Sequence, residues 1–300
     1  MPWISLVLGI GSAFWMDRRP ERAPLVALAA AAGWLLLALL AVLESARRKA
    51  LVHRAARFGA AMGSQSLVQL CLFFSAPFFF RAASIPAHWA FVALLLAAGA
   101  VTLWTPLSEA ALRHSVAGTA LLGLATLAGL DCVLPLLGLS NQLSLLAATI
   151  WTALGLPLVT LARGGRQGPP LVVALALMIS YLAGAARFVP PAPLRFVEGE
   201  MGTRVSDRRV VDAAASFAKP PEQLVCFTAI AAPRGLRDRL RHVWRQNGVL
   251  RGEVPLEIRG GRPQGFRTWS THRGITPGRW SCSIETQSGQ LLGRLVVHVQ

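Results

Sequence analysis

Hydrophobic positions along this chain follow two different rhythms. Residues 2–16, 23–43, 58–80, 85–107, 115–139, 143–162 and 169–186 are long apolar runs, broken only by Asp131. A bilayer's hydrocarbon core is about 30 Å thick and a helix rises 1.5 Å per residue, so about 20 such residues span it. Backbone polar groups in lipid must bond internally, which makes helices of these runs. The pattern predicts six spans plus a short uncleaved one at residues 2–16, which lack the basic start and cleavage site of a signal peptide. After Val189-Pro190-Pro191-Ala192-Pro193 the runs stop, and from about residue 222 short segments of alternating polarity take over.

Those segments predict strands over 224–230, 239–245, 249–258, 266–271, 279–286 and 291–299, with a further edge strand near 208–214. Asn247-Gly248 tolerates positive φ at both positions and suits a tight hairpin turn. Many short strands at close spacing predict an antiparallel sandwich. The expected fold is therefore an α-helical transmembrane bundle plus a C-terminal all-β antiparallel sandwich of immunoglobulin-like type. The expected division is 1–189 for the bundle, 190–221 for a stiff, proline-led linker, and 222–300 for the β-sandwich.

Composition agrees with a membrane chain: 54% hydrophobic and only 15% charged, against about 25% in soluble proteins. Mean hydropathy is +0.50. The net charge of +16 divides evenly, with +8 on residues 1–189 and +8 on residues 190–300. In the first part it sets orientation. Arg47, Arg48, Lys49, Arg54, Arg57, Arg113, Arg163 and Arg166 lie in loops of one side, against Arg18, Arg19, Arg22 and Arg81 on the other. The richer side is expected in the cytoplasm. That places the C-terminal domain in the periplasm of a bacterial inner-membrane protein, away from nucleic acid.

The motifs Cys226-Phe227-Thr228, His242-x-Trp244, Pro255-Leu256, Arg267-Thr268-Trp269-Ser270, Gly278-x-Trp280 and Gly289-x-x-Leu292-Gly293 follow in order. Over residues 222–299 they resemble domain of unknown function 2914, found at the C-terminus of bacterial membrane proteins. The N-terminal part resembles the multi-pass region that accompanies it. The resemblance implies the domain boundary and supplies no catalytic residue.

Candidate chemistry falls in three places. Asp131 is the only acidic residue inside an apolar run, and Gln65 and Gln69 share one helix face in another; such residues are costly there and mark ion or proton paths, or bond helix to helix. Arg239, Arg241 and Arg245 share the outward parity of one strand, and Arg267 and Trp269 share a face of another. A basic stripe with an exposed indole fits an envelope protein, an anionic lipid or a cell-wall polymer. The same arginines also fit a plain solvated face. Cys226 and Cys282 both have inward parity, so a disulfide is open to them outside the cytoplasm, as is a pair of buried thiols. His242 and Trp244 read as core. No nucleophile elbow, phosphate loop, zinc motif or dinucleotide fingerprint occurs, so no catalytic residue, metal or cofactor is expected. Two function classes stand: a membrane-anchored binding module, or a transporter component with the sandwich as accessory.

Overall fold

The computed structural model describes residues 2–18, 50–85, 87–113, 115–162, 166–207, 209–262 and 264–300. The run at 23–43 and the basic residues 19, 22, 47–49 and 163 lie outside them. Among the described residues seven α-helices come first: α1 (Pro2–Arg18), α2 (Ala50–Ala82), α3 (Trp89–Leu103), α4 (Thr105–Arg113), α5 (Ser115–Leu136), α6 (Asn141–Ala162) and α7 (Gly168–Leu182). Arg54 and Arg57, expected in a loop, fall within α2.

Among the described residues two helices are long and apolar enough to cross a membrane, by length and composition: Val116–Leu136 and Asn141–Leu161. Others are apolar over shorter stretches. The run at 85–107 is cut at Trp104, ahead of Thr105-Pro106, so that α3 and α4 are separate helices. Pro77, Pro135 and Pro157 lie inside α2, α5 and α6. The helices pack through Val68, Leu72, Phe79, Leu95, Ala125, Ala128 and Cys132. The small residues let α2 and α5 approach closely. Away from that core, α6 exposes Ile150, Trp151, Leu154, Leu158 and Leu161, and α7 exposes Leu171, Val172, Leu175, Ile179 and Leu182.

The C-terminal region is a β-rich, almost wholly antiparallel domain. Its strands are β1 (Arg195–Gly202), β2 (Arg204–Ser206), β3 (Arg209–Val211), β4 (Ser216–Phe217), β5 (Gln223–Ala231), β6 (Arg237–Gln246), β7 (Val249–Arg259), β8 (Phe266–Arg273), β9 (Gly278–Thr286) and β10 (Leu291–Val299). One sheet has the order β1-β5-β8 and a second the order β4-β10-β9-β6-β7; β2 and β3 form a small hairpin. Leu224, Cys226 and Met201 of the first sheet meet Trp244, Trp280, Cys282 and Val297 of the second in one core. Asn247 and Gly248 turn β6 into β7 with φ of 49° and 85°, as that dipeptide predicts.

Residues 190–221 are not a free linker. They carry β1, which pairs with β5 from Arg195↔Ala231 to Gly202↔Val225. The alternation that would reveal β1 is hidden by a bulge between Phe196 and Glu198, since one extra residue flips the face of everything after it. The proline segment is not a solvated spacer either. Pro190, Pro191, Ala192 and Leu194 are buried, with Ala192 in the helical core and Leu194 in the β core. This segment is a packed joint between the two halves.

Candidate functional site

The sequence pointed to one recognition surface; the two sheets divide it in two. Leu240, His242 and Trp244 face the core from β6, so Arg239, Arg241 and Arg245 face outward on the five-stranded sheet. They are not free cations. Arg241 pairs with Glu253 at 3.0 Å and Glu285 at 3.4 Å, Arg245 pairs with Glu285 at 3.2 Å, and Arg239 lies 3.8 Å from Glu257. Arg245 and Arg294 also share the Ser283 hydroxyl, at 3.5 and 2.9 Å. The turn at 247–248 alone would set Arg239 opposite Leu256; the register shift between Trp244 and Arg245 moves it opposite Glu257. Glu285 arrives from β9 and had no local signal.

Arg267 and Trp269 lie on the other sheet. Ser270 points inward to the β6 side chains, so Trp269 and Arg267 point out. Trp269 is 47% exposed. Together with Gly261, Arg262, Gln264, Gly265 and Phe266 they line an open groove of about 660 Å³. Arg262 lies over the Phe266 ring at 5.4 Å, a cation–π contact that holds its guanidinium at the rim. Among the described residues neither Arg262 nor Arg267 is in an ion pair. Arg262 belongs to this site through a loop closure that its local sequence did not show. Gly260 makes that closure: a side chain there would collide with the Pro233 carbonyl. Gly260 and Gly261 instead donate to Leu236 and Ala232 at 2.9 and 3.0 Å.

Behind the groove strand lies a buried polar cluster. Trp244 Nε1 donates to Ser270 Oγ at 3.0 Å. The Ser270 proton is then left for His242 Nδ1 at 2.8 Å, and His242 Nε2–H donates to Thr228 Oγ1 at 3.0 Å. This tautomer is assigned from the network. Cys226 and Cys282 form a disulfide between β5 and β9. A sulfur of each and a His242 nitrogen lie within 4.8 Å of one another. The sulfurs are bonded to each other and both ring nitrogens are occupied, so this trio is a core and not a metal centre.

Burial pushes His242 down to about 4, against about 6.5 in an unfolded chain. Above pH 6.5 the ring is neutral in both states and its contribution is complete. Below that the unfolded chain takes a proton that the folded domain refuses, until folded His242 itself titrates near pH 4. The domain should lose on the order of 3 kcal/mol across that window. Urea unfolding at pH 7 and pH 4.5 measures the loss. In His242→Gln the decline should be clearly shallower; an unchanged decline would refute the assignment.

Within the helices, Gln65 donates to Ser108 Oγ at 3.0 Å and Gln69 to the Thr102 carbonyl at 2.6 Å. Both amides tie α2 to the α3–α4 region. Asp131 is fully buried in α5, and neither of its oxygens has a hydrogen-bond partner among the described residues. Among the described residues no hydrogen bond joins Asp131 to Gln65 or Gln69.

A second constellation had no sequence signal. Asp238, at the start of β6, accepts from the Asn141 backbone N–H at 2.8 Å. A carboxylate from the β domain thus caps the N-terminus of α6, where the helix dipole favours an anion. Asn141 Nδ2 donates to Gln290 Oε1, and Gln290 Nε2 donates to the Val189 carbonyl at 2.9 Å. Asn141 and Gln290 are 0% exposed. Burial raises the Asp238 pKa, and the N–H groups of Asn141 and Arg239 oppose the rise. The β domain is seated on the helices through this latch and the joint at 189–194.

These features define a class: a helical N-terminal region latched to a disulfide-bearing antiparallel β domain with an arginine-rimmed groove. Residues 1–219 match the Family of unknown function (DUF5924), and residues 237–299 match the Protein of unknown function (DUF2914). The first match covers well over half the chain, which belongs to that family. The second starts at Arg237, so Cys226-Phe227-Thr228 lies outside it and the resemblance over 222–299 is narrower than expected. The boundary at 219 falls past β1 to β4, inside the β domain. No curated protein sequence matches the chain.

Proposed function

We propose that this chain is a multi-pass inner-membrane protein whose β domain stands on the periplasmic side and binds an anionic envelope partner or polymer in the groove at residues 261–269. The membrane reading is supported by the apolar faces of α6 and α7, which a soluble protein would cover. Seven spans and a periplasmic C-terminus rest on the apolar runs and on the loop arginines. The disulfide favours an oxidising compartment. An immunoglobulin-like sandwich is favoured by the sheet orders, the disulfide between them and Trp244 beside it.

The observation that carries the function is the groove itself. It combines two unpaired guanidinium groups with a half-exposed indole, a combination suited to an anionic, partly apolar ligand. The stripe on β6 is the weaker candidate, because Glu253, Glu257 and Glu285 neutralise it. The transporter alternative has the unpartnered Asp131 in its favour, while Gln65 and Gln69 are committed to helix contacts.

Titrating the full chain in detergent with dextran sulfate tests the reading, followed by tryptophan fluorescence. Arg267→Ala and Trp269→Ala should each weaken binding about tenfold with unfolding midpoints unchanged. Arg239→Ala should leave binding intact. Equal losses for all three would refute the groove. For the topology, a phosphatase fused after Gln300 should be active only if exported.

A further inference from the structure

Three strands of eight residues or more stand at sheet edges: β1, β7 and β8. Exposed edges invite pairing with foreign strands, and proteins usually blunt them. β7 is blunted by Pro255 at its middle, which removes a donor, and by Glu253 and Glu257 on either side. β1 is interrupted by its bulge, and the Phe196 ring packs on Gly199 and Gly293. β8 has neither proline nor bulge, and its only charges, Arg267 and Arg273, are basic. It reads Phe266-Arg267-Thr268-Trp269-Ser270-Thr271-His272-Arg273, without proline, glycine or acid. It runs in unbroken register with β5 from Gln223↔Arg273 to Ile230↔Phe266. Alternate residues of β8 therefore aim backbone N–H and C=O groups away from β5, with no strand among the described residues to receive them.

The charge around this edge has one sign. Between Glu257 and Glu285 the chain has no Asp or Glu, but it has Arg259, Arg262, Arg267, Arg273 and Arg279. Resting on the groove reading above, we propose that the ligand is an extended acidic segment of another polypeptide, which adds to the β1-β5-β8 sheet as a fourth strand beside β8. Main-chain hydrogen bonds to the β8 edge supply affinity, and alternate side chains supply choice. Acidic side chains meet Arg262 and Arg267, and an apolar one covers Trp269. An anionic polysaccharide could satisfy the arginines but offers no ladder of N–H and C=O groups for the edge.

The test uses the full chain in detergent micelles and hydrogen–deuterium exchange. The probe is a peptide of about twelve residues, alternating glutamate and valine, long enough to cover β8. Its fully N-methylated analogue keeps the charge but cannot donate, and dextran sulfate is the third arm. The expected result is that the plain peptide slows amide exchange within 266–273 about tenfold, that the N-methylated peptide does not, and that the double charge reversal Arg262→Glu, Arg267→Glu abolishes the protection. If both peptides and dextran sulfate bind without protecting β8, strand addition is wrong and the anionic groove survives. If dextran sulfate alone binds, the partner is not a polypeptide. If none of the three binds, the groove reading falls as well.

Discussion

Replacing both Cys226 and Cys282 with alanine should lower the unfolding free energy of the β domain by about 4 kcal/mol. The bridge joins β5 to β9 across the two sheets, with Cα atoms 6.4 Å apart and a sequence separation of 56. Opening a loop of that length returns a large conformational freedom to the unfolded chain, which is where most of the loss arises in the chain-entropy account. A further cost comes from the core, because both sulfurs are 0% exposed among Leu224, Trp244 and Trp280 and would leave space behind. Urea titration followed by tryptophan fluorescence reads the change, since Trp244 and Trp280 sit beside the bridge. Reducing the unaltered chain should reproduce the entropic part. A loss below about 1 kcal/mol would mean that the two sheets hold together without the bridge.

The second large effect is expected at Gln290→Leu, although this residue lies in neither the groove nor the sheet core. Its side chain accepts from Asn141 Nδ2 and Thr286 Oγ1 and donates to the Val189 carbonyl. Leucine would leave the Asn141 amide and the Val189 carbonyl buried without partners. Each orphaned group costs about 1–3 kcal/mol, so the seat of the β domain on the helices should weaken by about 2–5 kcal/mol. The β domain's own unfolding should change less, since within that domain the side chain gives up only the bonds from the Thr286 and Ser288 hydroxyls. Limited proteolysis near residues 189–194 should therefore accelerate while the isolated fluorescence transition of Trp244 and Trp280 holds its midpoint. Asn141→Leu should cost less in the Gln290→Leu background than alone, because the two side chains share one hydrogen bond. Strictly additive losses would refute the latch.

The latch also bears on how the groove relates to the helices. Gly261 lines the groove and donates to Ala232; Gly260 donates to Leu236. The same short loop, at Gly235, faces Gly138 between α5 and α6, and Asp238 follows directly. Groove, loop and helix terminus are thus joined by a few residues of tightly bonded backbone. The domain is seated and not tethered, so a ligand strand on β8 would be held at a defined height above the helices.

The sequence by itself determined the local elements. Alternating polarity located β5 to β10, Asn247-Gly248 located the hairpin, and apolar runs located most of the described helices, because these signals depend on neighbours within a few residues; the split of the run at 85–107 into α3 and α4 and the helical course of 54–57 were not legible. Parity also placed Cys226, Cys282, His242 and Trp244 inside. What only the tertiary structure decided is which of those residues meet. Strand β1 escaped notice because its bulge breaks the alternation. The arginines of β6 looked free because Glu285, which neutralises Arg241 and Arg245, is more than 30 residues away in sequence. Arg262 joined Arg267 and Trp269 only through the Gly260 closure. Asp238 and Gln290 lie 97 and 149 residues from Asn141. Local periodicity says which face a side chain takes; it does not say what stands opposite, because that partner is supplied by chain closure over distances that no short-range pattern encodes.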